Sequence, residues 1–129
     1  MIHQGNYLAL DFGAESGRAI VVSLREGKTE LKEIHRFPNR PVLLGGTLYW
    51  DLPYLFNEII TSLKIAKSQE IELNSLAVDT WGVDFGLLDS YGDLIGNPVH
   101  YRDSRTDDVK ADSPMGDDEI FRETGALPW

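Results

Sequence analysis

The sequence contains no cysteine. Disulfides, thiolate metal sites and cysteine nucleophiles are therefore excluded, and any chemistry must rest on oxygen or imidazole groups. Long apolar runs are missing too: Ile20–Val22 and Val42–Leu44 are typical of the longest, far short of the roughly 20 residues that cross a bilayer. No membrane partner is expected. The opening stretch MIHQGNYLALDFG has no basic segment followed by a long apolar one and a small-residue cleavage site, so no secretory leader is read and the expected location is cytoplasmic. Basic charge is scarce, 12 Lys and Arg against 21 Asp and Glu for a net charge of -9. That balance repels a nucleic-acid backbone, and no basic stripe offsets it, so nucleic acid is not an expected partner. A nucleotide is not excluded, because a local nest of backbone amides binds phosphate whatever the net charge. The 3 histidines, His3, His35 and His100, lack metal-ligand spacing and form no Ser-His-Asp order, and they read as structural.

What is present is the composition of a folded domain. The chain has 129 residues, 42% hydrophobic and 26% charged, which leaves room for one ordinary core and no second full domain. Tyr7–Phe12 is a short apolar run that reads as a buried strand, stopped by Gly13. Arg18–Leu24 carries the β-branched Ile20, Val21 and Val22 and reads as its hairpin partner. A turn at Glu26-Gly27-Lys28 leads into a third strand, Thr29–Phe37, whose alternation is imperfect. Pro38–Gly46, with little periodicity, reads as a surface loop.

Asp51 is placed to cap a helix and Pro53 is tolerated in its first turn. Leu52, Leu55, Phe56, Ile59, Ile60, Leu63 and Ala66 then recur at helical spacing, giving a helix over Leu52–Lys67. Leu73–Asp79 reads as another strand, expected to join in parallel beside the first over Leu76–Asp79. Val83–Leu88 is a further strand-like run, and Ser90-Tyr91-Gly92-Asp93 a hairpin turn before Leu94 and Ile95. A short helix is expected from Asp117 or Asp118 to Thr124, stopped by Gly125. The expected fold is α/β: a mixed sheet with its first three strands antiparallel and the long helix across one face. The apolar ending Leu127-Pro128-Trp129 reads as an interruption inside a larger protein.

The turn Asp11-Phe12-Gly13-Ala14-Glu15-Ser16-Gly17-Arg18 sets a carboxylate at a strand end, followed by glycines, a hydroxyl and a guanidinium. Glycines let a backbone come close to an anion, Ser16 adds a donor and Arg18 charge. Asp11 suits a hydrated magnesium ion, which keeps its waters and takes one or two carboxylates. An ordinary hairpin turn, with glycines that merely permit positive φ, fits the pattern equally well. In Val78-Asp79-Thr80-Trp81-Gly82-Val83-Asp84-Phe85-Gly86, an indole, two carboxylates and a bare glycine make the mixture that carbohydrate sites use. Composition alone favours the plainer reading, in which Trp81 and Phe85 are core and the aspartates cap turns. Tyr101-Arg102-Asp103-Ser104-Arg105 offers guanidinium groups to hydroxyls or phosphates, or simply pairs within a solvated loop. The acidic pairs Asp107-Asp108 and Asp117-Asp118 read as solvated or helix-capping.

In order and spacing these residues resemble the FGGY carbohydrate kinases and, within them, the rhamnulokinase-like members. LALDFGAESGR is similar to the family's phosphate-binding hairpin, LKEIHRFPN to its third strand, LYWD to the approach to the first helix and AVDTWGVDFGLLD to its sugar-site strand pair, with PVHYRDSRTD following. The resemblance covers almost the whole chain. DTWGVDF together with YRDSRT carries the narrower likeness, whereas the hairpin alone would suit glycerol kinases, xylulokinases and actin-like ATPases. Ala111–Asp118 departs from the pattern, being short and poor in apolar residues where the family has a longer helix.

The resemblance implies a ribonuclease H-like, actin-type ATPase fold, with residues 1–129 forming the amino-terminal part of the first kinase domain and the remainder of the kinase chain as the missing partner. It implies ATP-dependent phosphorylation of a ketose, L-rhamnulose to L-rhamnulose 1-phosphate. The alternatives are another FGGY kinase acting on fuculose or xylulose, and a noncatalytic module built on the same half-fold. By resemblance Ala14, Glu15, Ser16, Gly17 and Arg18 match the ATP-binding loop, Asp11 the strand-end acid near magnesium, and Gly82 a sugar-contacting backbone position. The residue chemistry adds Gly13 on the phosphate side, and Trp81, Asp84 and Arg102 on the sugar side. The general base, an aspartate in that family, falls downstream of this chain. Phosphoryl transfer depends on positioning and electrostatics, so the isolated chain is expected to be inactive.

Overall fold

The structure, a computed structural model, describes residues 4–107 and 113–126. His3, Asp108, the 111–112 part of the divergent segment and the closing Leu127-Pro128-Trp129 lie outside the described residues. Strand β1 (Gly5–Phe12) buries Leu8, Leu10 and Phe12 and leaves Tyr7, Ala9 and Asp11 half-buried, the period of two that one covered sheet face demands. β2 (Ser16–Arg25) runs antiparallel to it, from Gly5 opposite Leu24 to Phe12 opposite Gly17. The turn into β3 (Lys28–Pro38) has Glu26 and Gly27 at φ 50° and 76°, the two positive values that a tight two-residue hairpin needs.

The imperfect alternation of the third strand has a physical cause. The β2–β3 register slips between Ala19 and Ile20, so that Ala19 faces His35 and Ile20 faces Glu33. Ile34 is the extra residue of a bulge, which resets which side chains point inward. Beyond β3, the expected surface loop holds a short exposed strand, β4 (Val42–Leu44), hairpinned onto β5 (Thr47–Tyr49). The signal lay in Gly45-Gly46, both at positive φ, between two short apolar runs.

Helix α1 (Leu52–Ser68) begins as expected, with Asp51 accepting from the Tyr54 amide at 3.0 Å and proline in the first turn. Its buried face differs from the expected stripe. Leu55, Glu58, Ser62 and Ala66 are the buried positions, Ile59 and Leu63 pack only partly against the core, and Phe56 is 62% exposed. Two polar residues occupy that face because both are satisfied there. Glu58 meets His35 of β3 at 2.6 Å, and Ser62 Oγ donates to the Glu58 carbonyl at 2.7 Å. Leu55 joins Leu8, Leu10, Phe12, Ala19, Val21 and Phe37 in the core beneath the helix.

β6 (Ser75–Asp79) lies in parallel beside β1, from Tyr7 opposite Ser75 to Asp11 opposite Asp79, and the four-stranded sheet has the order β3-β2-β1-β6. It starts later than the apolar run suggests, since Asn74 is taken up by Asn6: the Asn74 amide donates to Asn6 O at 2.8 Å and Asn74 Oδ1 accepts from the Asn6 amide at 3.0 Å. The run Val83–Leu88 forms no strand, only an isolated bridge from Leu88 to Leu94. The turn between them stands as expected, with Asp89 Oδ1 accepting from the amides of Tyr91 and Asp93. α2 (Asp117–Thr124) ends at Gly125, whose φ of 71° is the left-handed cap.

Leu55→Ala should cost about 2–5 kcal/mol, the range for truncating a large buried aliphatic side chain. Phe56→Ala on the exposed side should stay within about 0.5 kcal/mol. Urea unfolding of the two variants reads the difference, and equal losses would mean that the helix presents the other face.

Candidate functional site

Two sequence-distant constellations meet because β1 and β6 are parallel neighbours. Their carboxyl ends coincide, with Asp11 opposite Asp79. The β1–β2 turn and the segment Thr80-Trp81-Gly82 therefore leave the sheet side by side, at the edge where open α/β sheets bind their ligands.

At the turn, Asp11 and Arg18 are direct antiparallel partners, and Arg18 Nη2 forms an ion pair with Asp11 Oδ2. Their side chains are 38% and 42% exposed, so the pair adds little to stability and remains accessible. The Gly13 amide donates to Ser16 O at 3.0 Å, closing the turn. Neither Gly13 nor Gly17 has positive φ, so the turn does not need its glycines for that conformation. Gly17 is required by packing: a Cβ there would stand 2.2 Å from the Phe37 ring. A Cβ on Gly13 would meet Ser16 O at 3.0 Å. Ala14 and Glu15 form the bend between them.

The donor set fits hydrated magnesium and no enclosed metal cage. Among the described residues no group of three or more histidine, aspartate or glutamate side chains is arranged to hold a metal ion. Asp11, with Asp79 as its ladder neighbour, is the one-or-two-carboxylate arrangement that suits an ion keeping its own water.

On the other side an aromatic ladder is the main feature. Trp50, 2% exposed, lies against Trp81 with ring centroids 4.1 Å apart and against His100 at 4.0 Å. His100 stacks in turn on Tyr101 at 4.5 Å, and the Arg102 guanidinium sits 5.2 Å from the Tyr101 ring centroid. Asp84 organises the ladder, because its Oδ2 accepts from both Trp50 Nε1 and the Tyr101 amide. The Arg102 amide donates to His100 Nδ1 at 2.9 Å, which leaves the imidazole proton on Nε2. Burial holds the His100 pKa below its ordinary value; the Asp84 charge opposes this and the Arg102 charge assists it.

Asp103 anchors the same segment. It is 6% exposed, accepts from the Leu48 amide at 2.6 Å, and caps the single 3-10 turn Ser104–Thr106 through the Arg105 amide. The Leu48 amide, foremost, holds the Asp103 carboxyl below its usual range. Gly82 faces open space, with nothing within 4 Å of where a Cβ would be, and Arg102 is exposed.

The structure thus brings Trp81, Asp84 and Arg102 into one cluster and leaves Gly82 open beside it. Sequence reasoning missed Trp50 and Asp103 and set His100 aside as structural. Asp84 meets Trp50 across 34 positions, and no local pattern announces such a pairing.

The chain matches no protein-family model. It is 44% identical over 124 residues to a rhamnulokinase of Mannheimia succiniciproducens, covering 93% of this chain and 26% of that protein. It is 46% identical over 101 residues to a rhamnulokinase of Bacteroides thetaiotaomicron, covering 78% of this chain and 21% of that one. The chain therefore spans about a quarter of the length of the curated relatives it matches. Among solved structures, a gluconate kinase from Lactobacillus acidophilus superposes with a TM-score of 0.71 over 96% of this chain and 25% of its own, at 16% identity. The fold is accordingly that of the sugar kinases with the actin-type ATPase architecture.

A buried histidine held neutral ties the ladder to pH. The folded value lies below the ordinary 6.5, so the contribution is complete above about pH 6.5. It declines as pH falls, because the unfolded chain takes up a proton that the buried ring resists. Between pH 7 and pH 5.5 the urea midpoint should fall more for the native chain than for His100→Phe, which keeps a stacking ring but cannot titrate. Equal slopes would remove His100 as the cause.

Proposed function

We propose, on the premise that the chain is a relative of the rhamnulokinases of the FGGY carbohydrate kinase family over 93% of its length, that it serves as the amino-terminal part of an ATP-dependent ketose kinase. Its substrate is L-rhamnulose and its product L-rhamnulose 1-phosphate. The observation that carries the reading is the parallel pairing of β1 and β6, which sets Asp11 opposite Asp79 and so puts the glycine-bearing turn after β1 beside a polar aromatic platform.

In this reading Gly13, Ala14, Glu15, Ser16 and Gly17 bend around the ATP phosphates, and amides of the turn other than that of Gly13, which closes it onto Ser16 O, replace the water that solvates them. Arg18 swings from Asp11 toward the phosphates. The ketose lies over Trp81 and beside Gly82, where no side chain blocks its approach. Asp84 holds Trp50 and the Tyr101 amide, and its second oxygen accepts from a sugar hydroxyl, while Arg102 donates to another. The primary hydroxyl attacks the γ-phosphorus, loses its proton to an aspartate contributed by the rest of the kinase, and ADP departs. Asp11 would hold a hydrated magnesium ion, which would supply charge neutralisation at the phosphates. The reaction takes place in the cytoplasm, and the complete kinase is needed, since positioning across both lobes carries most of the rate.

A panel of ketoses given with ATP to the complete kinase tests the substrate, and preference for fuculose or xylulose over rhamnulose would overturn it. In the same enzyme Asp11→Asn should lower turnover about a hundredfold or more, equivalent to roughly 3 kcal/mol. Ketose affinity and melting temperature should barely move, because the exposed Asp11–Arg18 pair contributes little to stability. Near-normal turnover with a lowered melting temperature would assign Asp11 to the turn alone.

A further inference from the structure

Asn39, the residue after β3, is 2% exposed and reaches back under the β1–β2 turn. Its main-chain N–H donates to Glu15 O at 2.9 Å, and its Nδ2 donates to Gly13 O at 2.8 Å. The amide orientation follows from that second contact, since the reverse would set two oxygens face to face. Oδ1 is buried and has no hydrogen-bond partner among the described residues. A side chain that only filled space under the turn would avoid the cost of burying an unpartnered acceptor.

In a trans peptide the carbonyl and the following N–H point in opposite directions. Gly13 O and Glu15 O are both drawn down to Asn39, so the N–H groups of Ala14 and Ser16 face away from it, toward the open side of the turn. A buried residue just beyond β3 thus sets the direction of two donors in the segment that carries the phosphate reading.

We infer that Asn39 is the positioning residue of the phosphate-binding turn: it clamps the carbonyls of Gly13 and Glu15 so that the amides of Ala14 and Ser16 are presented to nucleotide phosphates. The inference rests on reading that turn as a phosphate site. Asn39 touches no substrate and acts only through the backbone it holds.

The test uses the complete kinase carrying this sequence, with Asn39→Asp, of the same shape but without the donor, and Asn39→Ala. ADP affinity is measured by calorimetry, and KM for ATP and for the ketose by steady-state kinetics. Both variants should weaken ADP binding and raise the ATP KM about tenfold, while the ketose KM stays within about twofold. His35→Gln, which disturbs β3 at its contact with α1, should lower the melting temperature and leave ADP affinity unchanged.

Unchanged ADP affinity in a folded Asn39 variant overturns the inference, as does an equal change in both KM values or loss of folding in both variants. The calorimetry does not depend on turnover. Native enzyme that binds ADP, with weakened variants, supports the inference even if no ketose is phosphorylated. Native enzyme that binds no ADP overturns both the inference and the phosphate reading.

Discussion

The parallel register of β1 and β6 is the constraint on which the rest of the site depends. The pairing runs from Tyr7 opposite Ser75 to Asp11 opposite Asp79, and a slip of one residue would turn every side chain of β6 to the other face. Parallel strands need a long connection, here residues 13–74 with β2 to β5 and α1, so the register cannot be set by a turn. It is pinned at its start by the reciprocal bonds between Asn6 and Asn74. Gly5 belongs to the same lock, because a Cβ there would stand 2.1 Å from Asn74 Oδ1. A contact at one end of the strands thus aligns the chemistry at the other.

Around that ladder, short polar side chains do the work that strand pairing does elsewhere. Asp103 satisfies the Leu48 amide, Asp84 the Tyr101 amide and the Trp50 indole, Asp89 its own turn, and Asn39 the Gly13 carbonyl. Each fixes backbone in a stretch with few regular hydrogen bonds, where buried polar groups must find partners. The acidity of the chain therefore has a structural component. A carboxylate that accepts from backbone amides is stabilised in its charged form, as the lowered Asp103 pKa shows.

The sequence made the sheet legible because its signals were local or periodic. Tyr7–Phe12 alternates cleanly, Glu26-Gly27 marks a tight turn, and Gly125 stops the last helix where its left-handed φ requires. The misses arise where a tertiary contact overrides the pattern. Glu58 faces inward because His35 of β3 is there to meet it, with Tyr54 as a further partner. The bulge at Ile34 disturbs an alternation that would otherwise have read plainly. On the site, the turn residues and Trp81, Gly82 and Asp84 were visible as residue types in a suggestive order. Trp50, Asp103 and Asn39 were not, because each acts through a partner in a different element, and such pairings exist only once the sheet is formed.

The two halves of the site also differ in how firmly the described residues hold them. The turn lies between β1 and β2, whose inward residues Leu10, Phe12 and Ala19 are at most 8% exposed, and Phe37 and Asn39 close it from below. β6 pairs on one side only, and its Leu76 and Val78 are 44% and 45% exposed; Val83, Phe85, Leu87 and Leu88 beyond it are more so. A strand with an open edge and uncovered apolar residues has little to resist local opening. Trp81 and Gly82 lie just beyond that strand and share its open edge, although Trp81 also lies against buried Trp50. Asp84 counters this from the far side by tying the segment to buried Trp50. In electrostatic catalysis the donors must stand in place before the charge develops. The turn between β1 and β2 meets that condition within the described residues, and the segment after β6 meets it through the Asp84 carboxylate and the Trp50–Trp81 contact.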